Sequence, residues 1–355
     1  MSCPIRTYPL RKPEGHVPPI PRWQLVLPEH VQQVFTAYVG VQRLATDPPA
    51  LAAAARASSE LREWLAPAAD APVAAEEFSV LDGHDVAGCG VWVCYWTDVD
   101  SARRKLAQLR LADVHARLGD ASPSVGLWCE QFSTAIARLE TNYSGLDYLP
   151  GLARVPGSTT AAHEVSAYWG AARDRIPDSA HDQFERAKNT APPLTTPAGL
   201  RERLVGSNYE HMVHIRSGQF WENCGPQESD AYRSKLKPTL EAGLAYLWQN
   251  AVDTGTIGLR YLCNLGPEGR QRQETCGAGF FRSLGDLEHW AESHPSHLAI
   301  FHGAIDHATA FGAGRKLRTW HEVSVLKQGE AAFEYVNCHP ATGVIRFVKL
   351  ERSTL

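Results

Sequence analysis

Apolar residues recur along this chain with two different periods. Val34 to Val41 (VFTAYVGV) and Val91 to Trp96 (VWVCYW) are short runs rich in β-branched and aromatic residues, which predict buried strands. Between them, Pro49 to Leu65 is alanine-rich, with Leu51, Ala55, Ser58, Leu61 and Leu65 at helical spacing. Asp47 and Pro48 just ahead of it are helix start signals. Asp98 or Asp100 caps a second predicted helix that runs through Arg117 on the stripe Leu106, Leu109, Ala112 and Val114. VGLWCEQF, within Ser124 to Leu139, reads as a further strand, and a short extra strand near Phe78 to Leu81 completes a β-α-β-β-α-β order.

The second half repeats this order. Met212 to Trp221, Ile257 to Leu265, Gly277 to Arg282 and Lys316 to Leu326 read as strands. Lys237 to Asn250, with Leu240, Leu244 and Leu247 on one stripe, and Gly285 to Ser293 read as helices. GVWVCYWTDVDSARRKLA near residue 90 and GAGFFRSLGDLEHWAES near residue 277 both run strand, acidic cap, helix. The expectation is an α+β fold of two ferredoxin-like halves, about 31–175 and 204–350, with antiparallel sheets flanked by helices in a single domain. Residues 1–30 carry Pro4, Pro9, Pro13, Pro18, Pro19, Pro21 and Pro28, which predict an extended arm pinned by Trp23, Leu25 and Leu27. Ile176 to Arg203, polar and bearing Pro177, Pro192, Pro193 and Pro197, reads as a long connector.

Composition narrows the chemistry. With 355 residues, 44% hydrophobic and 21% charged, the chain has an ordinary globular balance, and a net charge of −4 argues against a nucleic-acid partner. The eight cysteines form no C-x-x-C pair, so a zinc site, thioredoxin-type redox chemistry and covalent haem attachment lack support. No signal-like segment and no run of ~18 apolar residues is present, so no membrane partner is expected and a cytoplasmic location with reduced thiols is. The H-E-x-x-H, G-x-S-x-G, G-x-G-x-x-G and P-loop patterns are missing in any usable context.

The candidate chemistry centres on histidine. SHPSHLAIF (293–301) opens a predicted helix and KLRTWHEVSV (316–325) a predicted strand. The interval between His297 and His321 lets a helix cross a pocket and a strand return, so that one imidazole can reach a bound cofactor from each side. Satisfied or exposed histidines are the plainer reading of the pair alone. His321 shares its strand face with Leu317, Thr319, Val323 and Val325; Ser217 shares its own with His211, Val213 and Ile215. YWGAARDR (168–175) sets Arg173 and Arg175 beside an aromatic pair, and Glu140 is a possible partner for an arginine. Cys338, next to His339 and Pro340, is a conceivable thiolate ligand, although a small buried cysteine is the better reading.

Four motifs in order, YWGAARDR (168–175), VHIRSGQFW (213–221), SHPSHLAIF (293–301) and LRTWHEVSVL (317–326), resemble the aldoxime dehydratases. These are haem lyases of the dimeric α+β barrel group, which includes chlorite dismutases and dye-decolourising peroxidases. The similarity extends from FTAYVGVQ (35–42) to near the C-terminus. The resemblance implies a homodimer with non-covalent haem b, ferrous in the active state, and conversion of R–CH=N–OH to R–C≡N plus water with the oxime nitrogen bound to iron. It implies His297 as the proximal iron ligand, with His294 in reserve, and His321 as the distal acid–base residue. Ser217 would hydrogen-bond the substrate hydroxyl, and Arg175, with Arg173 in reserve, would pair with Glu140. The rival readings are a haem peroxidase or chlorite-dismutase-like enzyme on the same fold, and a non-catalytic haem carrier or sensor ligated by both His297 and His321.

Overall fold

Local chemistry sets the elements of the first half. β1 (Arg22–Val26) and β2 (Gln33–Arg43) precede α1 (Pro48–Trp64), where the Asp47 carboxylate accepts the Ala50 amide hydrogen at 2.9 Å. β3 (Ala74–Gly83) and β4 (Gly90–Trp96) lead into α2 (Val99–Gln108), capped by Asp98 and not by Asp100. The single helix expected through Arg117 is broken at Leu109 and Arg110, and α3 (Leu111–Arg117) follows as a separate piece. β5 (Val125–Ala135), β6 (Leu139–Tyr143), β7 (Thr159–His163) and α4 (Ala171–Arg175) complete this part. The structure is a computed structural model that describes residues 6–188, 190 and 193–355; Cys3, Pro4 and Pro192 lie outside the described residues.

The second half begins with β8 (Glu202–Ser207), β9 (Met212–Phe220) and α5 (Pro226–Ala231). A π-helical turn at Tyr232–Leu236 joins α5 to α6 (Lys237–Gln249), and α7 (Ala251–Thr254) follows. β10 (Arg260–Leu265) and β11 (Gln271–Phe281) then lead to α8 (Leu284–Ser293) and α9 (Pro295–Phe311). β12 (Arg318–Leu326), β13 (Ala331–Val336) and β14 (Leu350–Thr354) end the chain. The cap of α8 is Ser283, whose hydroxyl accepts the Asp286 amide hydrogen at 3.1 Å, so the acidic cap expected from the match with residues 90–107 is replaced by a serine.

Among the described residues the strands form one antiparallel sheet in the order β14-β8-β13-β5-β2-β4-β3-β10-β11-β9-β12-β6-β1-β7. Two stretches repeat a pattern. β5-β2-β4-β3 and β12-β9-β11-β10 each place strands in the order fourth, first, third, second of a β-α-β-β-α-β unit, the ferredoxin-like arrangement of an α+β fold. They meet edge to edge where β3 pairs with β10. The described part of the N-terminal arm contributes β1, paired with β7 from Arg22↔His163 to Val26↔Thr159.

The sheet curls on itself. Tyr95 on β4 donates its hydroxyl to Glu322 on β12 at 2.8 Å, and Arg216 on β9 pairs with Glu76 on β3 at 2.7 Å, although neither pair of strands is adjacent. Tyr38, Phe132, Phe280, Phe333 and Trp320 fill the inner face. Arg260, also inward, holds Asp85 and Glu130 at 2.7 Å each. On the outer face of the first unit, Ala53, Ala57 and Leu61 of α1 and Leu111 of α3 pack on Val39, Trp92, Trp96 and Leu127. On the second unit, Leu244, Leu247, Leu287 and Trp290 of α6 and α8 share a core with Val213, Leu259, Phe281 and Val323. The candidate site lies between those helices and that sheet face.

Candidate active site

Alternation along β9 and β12 decides which side chains leave the sheet outward. Ile215, Ser217 and Gln219 of β9 and Thr319, His321 and Val323 of β12 line a cavity of about 400 Å³. Their neighbours Arg216, Trp320 and Glu322 point into the curled interior. Ser217 lies directly across from His321 in the β9–β12 register, and Asn142 of β6 flanks His321 on its other side. The helical wall supplies Leu236, Leu240, Leu244, Leu287, Trp290 and His297. Gly277 faces Ser217 across β9 and β11; a Cβ there would come within 3.3 Å of Leu244, so glycine preserves room beside the serine.

His297 and His321 therefore stand on opposite walls, one on α9 and one on the sheet. α9 begins at the Pro295 turn with His294 as its cap: the His294 Nδ1 accepts the Ser296 amide hydrogen at 3.2 Å. The His294 ring stacks on Tyr246 at 3.8 Å and does not line the cavity, so the reserve ligand is a helix cap. His297 sits in the first turn, with Trp290 edge-on at 4.7 Å and Trp169 at 6.1 Å. Burial lowers the His297 pKa, with the Ala291 carbonyl acting in the opposite direction, and its Nδ1 is buried without a hydrogen bond of normal geometry. A neutral imidazole presenting a ring nitrogen to an apolar cavity is the protonation state a metal requires.

On the sheet wall the charges are paired. Glu140 of β6 has a fully buried side chain and meets Arg175 of α4 through two oxygens, each 3.1 Å from a guanidinium nitrogen. Its Oε1 also lies 2.8 Å from His321 Nε2, and Arg175 Nη2 lies 3.0 Å from the same ring nitrogen. Burial pushes the Glu140 carboxyl up, but Arg175 and then His321 outweigh it and hold the group at about 2. Arg175 is anchored further by the Val165 carbonyl at 2.6 Å. Arg173, the reserve, instead pairs with Glu288 at 2.6 Å and does not line the cavity.

Glu140, Arg175, Ser217, His297 and His321 all line one cavity. His211, expected on the face of Ser217, precedes β9 in left-handed backbone at φ 61°, and its ring turns to the Glu185 carbonyl at 2.7 Å and Asp182 at 3.2 Å. Cys338 is wholly buried, with its thiol directed to the Leu127 carbonyl, away from the cavity. Sequence reasoning missed Asn142, Gln219, Arg22 and Arg315, which also line the cavity. The alternation Arg22-Trp23-Gln24-Leu25-Val26 is a strand signal that would have placed Arg22, but the proline-rich stretch around it reads only as an extended arm; no signal in the sequence points to Asn142 or Arg315.

These residues fit a haem. His297 brings a single imidazole to an otherwise apolar wall, the type of donor that would ligate a haem iron. The apolar walls suit such a ring. No helix among the described residues is long and apolar enough to cross a membrane.

Comparison with known proteins agrees. Residues 37–344 match the family described as haem-containing dehydratase. An aliphatic aldoxime dehydratase of Pseudomonas chlororaphis is 32% identical, covering 98% of this chain and 96% of its own. One from Rhodococcus erythropolis is 31% identical with the same coverage, and a phenylacetaldoxime dehydratase of Bacillus sp. strain OxB-1 is 29% identical over 95% and 94%. A crystal structure of an aldoxime dehydratase in complex with butyraldoxime matches with a TM-score of 0.83 at 29% identity, over 97% of this chain and 94% of that one. A second aldoxime dehydratase structure matches with a TM-score of 0.83 at 32% identity, over 97% and 96%. From the motifs in order, the shared fold and a match spanning most of its length, the chain belongs to the haem-containing dehydratase family.

Proposed function

We propose that this chain is a haem-dependent lyase that dehydrates aldoximes, R–CH=N–OH, to nitriles and water, acting as a single haem-binding domain. One observation carries the reading: two imidazoles face each other across an apolar cavity, and the one on the sheet wall has a serine hydroxyl directly beside it and a buried carboxylate behind it. His297 would hold the iron of haem b. When bound, the ferrous haem supplies electron density to the oxime nitrogen and weakens the N–O bond.

The chain's own groups handle the protons. Ser217 donates to the oxime oxygen and orients it. Glu140 accepts the Nε2 proton of His321, which leaves Nδ1 as the atom that donates to the departing hydroxide. The same nitrogen then takes the aldehyde-derived C–H proton, so one imidazole gives and regains a single proton while water leaves. Glu140 touches both His321 and Arg175, so one buried carboxylate is shared by the ring and the guanidinium. Arg175 is thus a positioning residue for the carboxylate.

The reading extends to a cytoplasmic homodimer. The cysteines among the described residues are all free, which suits a reducing compartment, and the dimer follows from the resemblance alone. The test is anaerobic: record the absorption spectrum, reduce with dithionite, add butyraldoxime and phenylacetaldoxime, and follow nitrile by chromatography. Nitrile formed only after reduction, by a protein with a Soret band, supports the proposal. A Soret band with no nitrile from any of several aldoximes refutes it.

A further inference from the structure

One end of the cavity carries positive charge without a counter-ion. Arg315, 7% exposed, leaves the turn after α9, and among the described residues its guanidinium hydrogen-bonds only a ring nitrogen of His307, at 3.3 Å. Glu228, the carboxylate whose field it feels, is already engaged by the backbone amides of Lys316 and Leu317 at 2.8–3.0 Å. Arg22 of β1, half-buried, meets the Thr319 hydroxyl at 3.4 Å. Among the described residues neither arginine has a carboxylate within 4.0 Å, whereas Arg175 has Glu140 and Arg318 has Asp147. Burial first, then neighbouring cations (Arg315 and Arg175 for Arg22, Arg318 for Arg315), pulls both guanidinium groups down to about 10. An uncompensated guanidinium in apolar surroundings is costly unless an anion arrives with the ligand.

Their placement says where that anion sits. His297, Ile300, Phe301, Ala304 and Ile305 form the stripe of α9 that faces the cavity, with His297 in the first turn and Arg315 just beyond the last. The iron-binding residue and the cationic pair therefore mark opposite ends of one helix. Arg315, Pro19, Ile20 and Ile305 also line a second, adjoining cavity, so this end opens beside the N-terminal arm. Haem b bears two propionates on one edge, whereas an aldoxime of simple alkyl or aryl type bears no carboxylate.

We infer that Arg22 and Arg315 form a carboxylate clamp that takes the two haem propionates, so that the N-terminal arm is part of the haem grip. This rests on the haem reading above. The test uses the full-length holoprotein and follows haem loss to excess apomyoglobin for wild type, Arg22→Met, Arg315→Met and the double variant. Each single change speeds release about tenfold, the scale of one charge-assisted hydrogen bond, and the double change about a hundredfold. Full-length chain loaded with haem dimethyl ester supplies the control. Wild type releases the ester about a hundredfold faster than haem, and the double variant releases both at one rate.

Equal acceleration of haem and ester loss in the variants would mean a packing role and overturn the clamp. So would a double variant that still discriminates acid from ester as wild type does. Unchanged haem release with a raised KM for a carboxylate-bearing aldoxime would assign the arginines to substrate instead. A wild-type protein with no Soret band would sink the haem reading itself, an outcome distinct from these.

Discussion

Replacing Glu140 by glutamine keeps the shape of the site and removes the buried anion beside His321. The carboxyl falls from its ordinary 4.5 to about 2 in the fold. At 1.36 kcal/mol per unit, this is worth about 3 kcal/mol, in line with the roughly 3–5 kcal/mol expected when one partner of a buried ion pair is lost. For 355 residues, about 2.1 cal/mol/K per residue gives an unfolding entropy near 0.75 kcal/mol/K, so Tm should drop by about 4 °C. The sign fixes the pH dependence. A depressed carboxyl contributes fully above its unfolded value and loses its contribution as pH falls towards the folded one, so the gap between wild type and Glu140→Gln is full at pH 6 and shrinks below about 4.5. Turnover should fall by about 100-fold, the lower end of general acid–base assistance, with the haem content kept. Thermal melts across pH and single-turnover nitrile formation read both effects. A variant with wild-type turnover would remove Glu140 from the proton path; a Tm gap that stays constant below pH 4.5 would refute the charge argument.

Other substitutions separate the remaining roles. His297→Ala should empty or mis-ligate the haem, seen as a lost or shifted Soret band; a normal spectrum would end the ligand assignment. His321→Ala should bind haem normally and lose about 10²–10⁴-fold in kcat, measured by nitrile release under reducing conditions. If Ser217 holds the leaving oxygen as proposed, Ser217→Ala should lower kcat/KM about tenfold, the scale of one hydrogen bond, with stability unchanged. Away from the site, Glu130→Gln leaves Arg260, 2% exposed, with Asp85 as its remaining carboxylate and should cost about 3 kcal/mol in urea unfolding, with no change in KM.

The elements legible in the sequence are those whose burial pattern is simple. VWVCYW is buried at every position and reads as a strand without ambiguity, and Asp47 ahead of an alanine-rich run marks α1 because one side chain caps one amide. β7 (TTAAH) and β14 (LERST) escaped notice because they lie at the two edges of the sheet, where backbone pairing holds polar side chains in place. β6 was hidden for a different reason: LETNY contains the buried Glu140 and Thr141 and the half-buried Asn142, whose polar side chains are met only by distant partners, Arg175, the Leu25 amide and His163. The same holds for the site. His297 and His321 could be suspected from helix and strand periods, but the Glu140–Arg175 pair joins two distant segments, and no local pattern announces a contact made only by tertiary folding. The helix expected through Arg117 failed for want of a stop signal: no glycine or proline marks the break at Leu109 and Arg110.

The two β-α-β-β-α-β units treat their outer faces differently. Alanines 53 and 57 of α1 bring that helix close against Trp92 and Trp96, whereas α6, α8 and α9 enclose the cavity. One unit completes its core from its own side chains, and the other leaves part of its core to a ligand. Folding and cofactor loading are then linked equilibria: a ligand at a thousandfold excess over its Kd adds about 4 kcal/mol to the state that binds it. That increment falls on one half of the molecule, so amide exchange in α8 and α9 should slow as the cavity fills while α1 exchanges as before.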